Sequence, residues 1–136
     1  MCADVCKREV SRIRAIVETY FWGLHHGDPA ALKELFHPDC ILKAPHQRRS
    51  METWLADVGR RAAPSEIDHP WEYRIIWLEM MAEQAMVKVN CPLPHGRFTD
   101  YLGFLKEDNH WKIVNKMYAE TSELYRASGI WSDSGV

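Results

Sequence analysis

The sequence has no run of the roughly 18 consecutive apolar residues that a membrane-spanning helix needs, no internal repeat and no low-complexity segment. It has no excess of one charge either: 17 Lys and Arg against 19 Asp and Glu leave a formal net charge of −2. Interspersed charges of both signs exclude nucleic acid and an anionic membrane as the main partner. The start, Met1 to Glu9, is charged where a signal peptide carries its apolar run, which points to the cytoplasm. The four cysteines, Cys2, Cys6, Cys40 and Cys91, form no CxxC pair and are expected to be reduced thiols. The histidines make no HxH or HExxH pattern and no carboxylate cluster accompanies them, so no metal is expected. A glycine-rich phosphate loop and a nucleophile elbow are also missing, and no cofactor is expected.

What remains is an ordinary globular composition, 46% hydrophobic and 26% charged over 136 residues, enough for one domain with one core. The reading places that domain at residues 1–126, with 127–136 as a flexible Ser- and Gly-rich tail that Trp131 could anchor. Val10, Ile13, Val17, Tyr20 and Leu24 recur at steps of three and four, predicting a long helix from Asp4 to His26 ended by Gly27. Asp28-Pro29 caps a short second helix, Ala30 to Phe36. A strand is expected at Cys40 to Ala44, a loop from His46 to Arg49, and a third helix capped by Ser50 with Trp54, Leu55 and Val58 on its apolar side. The short basic pairs Arg48-Arg49 and Arg60-Arg61 read as solvated helix ends. Trp71 to Met81 and Ala85 to Cys91 read as strands, and Arg97 to Tyr118 as a hairpin turning at Glu107 to Asn109. Helices first and strands after imply an α+β fold, with helices against one face of a mainly antiparallel sheet. Apolar residues on both sides of Tyr73 to Met80 leave more sheet than one helix layer covers, predicting a homodimer through the outer sheet face.

Ile13 to Asp28, followed by Leu35 to Cys40, resembles the start of nuclear-transport-factor-2-like domains. Phe98-Thr-Asp-Tyr-Leu102 with Trp111-Lys-Ile-Val-Asn-Lys116 resembles more narrowly the lumazine-binding, SnoaL-like branch. The resemblance covers residues 8 to 120 and implies a cone-shaped barrel, cystatin-like, usually homodimeric, with a pocket between the sheet and the long helix. Relatives include ketosteroid isomerase, scytalone dehydratase and polyketide cyclases. Tyr20 falls where the isomerase places its oxyanion-hole tyrosine, although a core tyrosine would fit the same stripe. The isomerase's carboxylate base falls on Ala44, which cannot take a proton, so that route is excluded.

The candidate catalytic groups are therefore Tyr20, Asp100, Lys116 and His37, and the candidate ligand contacts are Tyr20, Phe36, Trp54, Tyr101, Val114, Lys116 and Tyr118. A three-residue hairpin loop sets Asp100 opposite Lys116, while a two-residue turn sets Tyr101 there; in both, Val114 and Tyr118 share the Lys116 face. His37 could carry a proton at the pocket mouth or cap the second helix. Three functions are compatible with these residues: a pocket for a small, partly apolar organic molecule; a lyase, cyclase or isomerase working by general acid–base chemistry; and a non-catalytic dimeric accessory domain.

Overall fold

A computed structural model describes residues 3–121; the expected tail at 127–136 and the proposed Trp131 anchor lie outside them. Helix α1 runs Ala3–His26, α2 Pro29–Lys33 and α3 Met51–Arg60. The strands are β1 Phe36–Ala44, β2 Gln47–Ser50, β3 Arg74–Met81, β4 Gln84–Leu93, β5 Gly96–Glu107 and β6 His110–Glu120. They form one curved, unclosed sheet in the order β2-β1-β6-β5-β4-β3, antiparallel except where β1 runs parallel to β6. The helices cover its inner face, giving the expected α+β cone.

The stripe on α1 supplies the helical half of the core. Ile13, Val17, Tyr20, Phe21 and Leu24 are buried together with Leu42, Val87, Val89, Leu102, Phe104 and Ile113 of the sheet. Gly27, at φ 57°, reverses the chain after α1 as a left-handed stop. Asp28 then caps α2 by accepting from the Ala31 amide at 3.1 Å. Ser50 does the same for α3 through the Thr53 amide, also at 3.1 Å.

Three local expectations are corrected. The second helix stops at Lys33, and Phe36 opens β1, because it pairs in parallel with Ile113 of β6. Residues 47–50 are not loop but an edge strand hydrogen-bonded to β1; its polarity is what an exposed edge requires. The third concerns the β5–β6 hairpin, where neither predicted register holds throughout. Asp108 and Asn109, both at positive φ, make a two-residue turn that pairs Glu107 with His110. A bulge at Val114 then shifts the ladder by one, so Lys116 faces Leu102 and Asp100 faces Tyr118.

The hairpin tip is tied to α1 by Glu9, which is buried. Its carboxylate accepts from Lys106 Nζ at 2.7 Å, Trp111 Nε1 at 3.0 Å and Arg12 Nη1 at 3.1 Å. The Lys106 bond, more than these other contacts, holds its pKa down at about 2, against the opposing effect of burial. The folded pKa lies below the ordinary 4.5, so this stabilisation is complete above pH 4.5 and lost as pH falls to about 2. Glu9→Gln is therefore expected to be less stable than wild type at neutral pH, with the gap closing across that window. Urea melts at stepped pH read this directly.

A polar cavity between helix α1 and the sheet

The Val114 bulge determines which side chains of β6 point inward beyond it. Trp111 and Ile113 fill the core before the bulge, and Lys116 and Tyr118 take the inner side after it. Asp100 reaches the same face from β5, one diagonal step from Lys116. Tyr20 reaches it from α1. The three meet at the floor of a small cavity of about 50 Å³, walled also by Trp54, Cys91 and Leu93.

Tyr20, wholly buried, donates its hydroxyl to Asp100 Oδ2 at 2.7 Å. Cys91 donates its thiol to the same oxygen at 3.7 Å. Lys116 Nζ stands 4.0 Å from that oxygen, an ion pair without a hydrogen bond. The ammonium is instead surrounded by rings, 4.3 Å from the Trp54 centroid, 5.3 Å from Tyr20 and 5.7 Å from Tyr118. Burial lowers the Lys116 pKa, Asp100 opposes the shift, and Arg49 and Arg61 add to it. Burial first, and then the Asp100 charge, push Tyr20 well above its ordinary value. The floor therefore holds a phenol that keeps its proton, a carboxylate, and an amine that yields a proton more readily than a surface lysine.

Arg49, Arg61, His95, Phe98 and Tyr118 line the remainder of the cavity. Tyr118 donates to Gln47 Oε1 at 2.7 Å and lies under the Arg49 guanidinium, 5.2 Å from its ring centroid. Burial and the Arg61 charge lower the His95 pKa, which keeps the imidazole neutral.

Of the candidates read from the sequence, Tyr20, Trp54, Asp100, Lys116 and Tyr118 are brought together here. The other four are not. Phe36 is buried behind Tyr20 and Trp54, with ring centroids 6.0 and 5.2 Å away, and does not reach the cavity. Val114 leaves the Lys116 face at the bulge. Tyr101 is 41% exposed on the outer face, where Lys88 lies over its ring. His37 sits in β1, half-exposed and paired with solvent-facing Asp39 at 2.5 Å, beside a separate groove containing Met51 and Leu55. Arg49 and Arg61, read from the sequence as solvated helix ends, are instead half-buried and line the cavity; a dibasic pair carries no sign of which member turns inward. Among the described residues no cluster of His, Cys, Asp and Glu could hold a metal, and no helix is long and apolar enough to cross a membrane.

A family model described as "Putative lumazine-binding" matches residues 8–119. No curated protein matches the chain in sequence. Among solved structures, an NTF2-like protein of unknown function from Silicibacter pomeroyi DSS-3 is 26% identical, with a TM-score of 0.73 over 85% of this chain and 98% of its own. An NTF2-like protein of unknown function from Shewanella baltica OS155 superposes with a TM-score of 0.73 at 18% identity, over 85% of this chain and 96% of its own. Another, from Methylobacillus flagellatus KT, gives 0.72 at 16% identity over 90% and 96%. The last two speak to the fold alone.

Proposed function

The chain belongs to the family described as "Putative lumazine-binding", within the nuclear-transport-factor-2-like superfamily, and from that premise we propose that it is a pocket protein for a small, partly apolar organic molecule. The observation that carries this reading is the polar floor of the cavity. Lys116 is buried beside Asp100 at 4.0 Å, among aromatic rings, on the face where the core would otherwise be apolar. An apolar pocket with a few converging polar groups is the usual form of a small-molecule site. A closed cavity of about 150 Å³ is what encloses benzene, so about 50 Å³ takes only one end of a ligand. The family description therefore does not by itself make the ligand lumazine.

Native mass spectrometry of the purified full chain tests the reading through a co-purified small molecule, with Tyr20→Phe as the site control. The lost hydrogen bond goes to a carboxylate, so the variant is expected to lose about 2 kcal/mol of stability. It is also expected to retain less ligand than wild type. Equal retention by both proteins would remove Tyr20 from the site.

A second reading is an enzyme of lyase, cyclase or isomerase type, favoured by the 2.7 Å Tyr20–Asp100 bond beside a lysine of lowered pKa. Uptake of deuterium from heavy water into an enolisable ligand, lost in Tyr20→Phe, is the result expected of it.

The same proposal includes a cytoplasmic homodimer joined through the outer sheet face. Lys43, Met117, Tyr101, Lys88 and Trp77 lie in one row across that face, with Trp77, Tyr101 and Met117 each above 40% exposed. A partner sheet covering them would remove the apolar area from water. Light scattering is expected to give twice the chain mass for wild type and the monomer mass for Tyr101→Lys, since an ammonium there would be buried beside the like charge of Lys88. A monomeric wild type at micromolar concentration would end the dimer reading.

A further inference from the structure

We infer that the ligand of this cavity is an organic carboxylate, its negative charge facing Arg49, Arg61 and Lys116 and its apolar part against Trp54, Leu93 and Phe98. The inference rests on the pocket reading above and gives the pocket a ligand class. Its basis is an excess of positive charge that the protein does not neutralise. Among the described residues three cations line the cavity, and Asp100 is the only carboxylate that does.

Each cation is incompletely partnered. Lys116 is nine-tenths buried and makes no hydrogen bond among the described residues; the Asp100 oxygen nearest to it, at 4.0 Å, already receives Tyr20 and Cys91. Among the described residues Arg61 has no carboxylate within ion-pair distance, and its Nη1 meets only the His95 Nε2 at 3.4 Å. Arg49 Nη1 reaches Asp57 at 3.2 Å, but Asp57 is shared with Arg60, and the buried Nε of Arg49 has no hydrogen-bond partner among the described residues.

Buried charges are ordinarily paired, because the cost of removing them from water is recovered only through a counter-ion. Here the pairing is partial: Asp100 supports the charge of Lys116 and Asp57 that of Arg61, but the cations also act against one another. Arg49 lowers the pKa of Arg61, and both arginines lower that of Lys116, in each case adding to the effect of burial. An anion entering the cavity would relieve that repulsion, complete the donor set of Arg49 and offer each guanidinium the planar, two-oxygen acceptor it matches best. A neutral carbonyl compound would satisfy donors but leave the repulsion in place.

The test titrates the full chain with butyrate and benzoate, each against its neutral amide, by NMR at low and high salt. Both carboxylates are expected to bind at least tenfold more tightly than their amides, to shift resonances of Lys116 and Tyr118, and to weaken as salt is added. Arg61→Gln, checked for an unchanged fold by its spectrum, is expected to weaken the carboxylates far more than their amides, bringing the two to within about twofold. Amides that bind wild type as well as the carboxylates would overturn the inference while leaving the pocket reading intact. Failure of all four compounds to perturb the cavity residues would overturn both.

Discussion

Lys116→Met is expected to cost about 3 kcal/mol of unfolding free energy, and Asp100→Asn a similar amount, because each leaves the other charge buried without its counter-ion. Replacing both should cost clearly less than the sum, since the double variant has no unpaired charge left to strand. Urea unfolding with unchanged m-values measures all three. Costs that simply add would mean that 4.0 Å is too far for the two groups to act as a pair. The pH dependence has a defined sign. Burial sets the folded pKa of Lys116 below its ordinary 10.5, so between those two values the unfolded chain holds more protons and stability rises with pH. Tyr20 works in the other direction. Its raised pKa means that the unfolded chain ionises first, and stability falls as pH climbs past the ordinary 10.0. The Lys116 contribution is therefore best read on the approach to pH 10, where Lys116→Met should flatten the rise.

The main fold could be read in the sequence because its elements carry local signals. The α1 stripe repeats at helical spacing, Gly27-Asp28-Pro29 punctuates it, and the β5–β6 arms are β-branched and aromatic around an Asn that tolerates positive φ. Long-range pairing leaves no such trace. Nothing near Phe36 announces that it will pair in parallel with Ile113, and an edge strand as polar as Gln47–Ser50 resembles a loop. The Val114 bulge had a partial signal in the broken alternation of β6. It reconciles the two registers by using a two-residue turn while keeping Asp100 and Lys116 on one face. That face was legible; the arginines opposite it were not. Arg49 lies in β2 beside Tyr118, and Arg61 caps α3 next to His95, so their convergence follows from how α3 lies over the sheet.

Trp54→Ala is expected to cost about 4 kcal/mol, in the range typical of deleting a buried tryptophan. Trp54 is 2% exposed, packs on Phe36 at 5.2 Å between ring centroids, and presents its face to Lys116 Nζ at 4.3 Å. Part of the cost is volume and part is the π face, and Trp54→Leu divides them. Leucine refills much of the hole and keeps water out, but offers the ammonium no quadrupole. Its stability should fall between wild type and the alanine variant. The negative ring face favours charged lysine, so a dry replacement without it should lower the Lys116 pKa further. In the leucine variant the alkaline rise in stability should then begin at lower pH than in wild type. Alanine should move the onset the other way, because water admitted to the enlarged cavity solvates the ammonium. Onsets that coincide in all three proteins would assign Trp54 to packing alone and remove it from the electrostatics of the site.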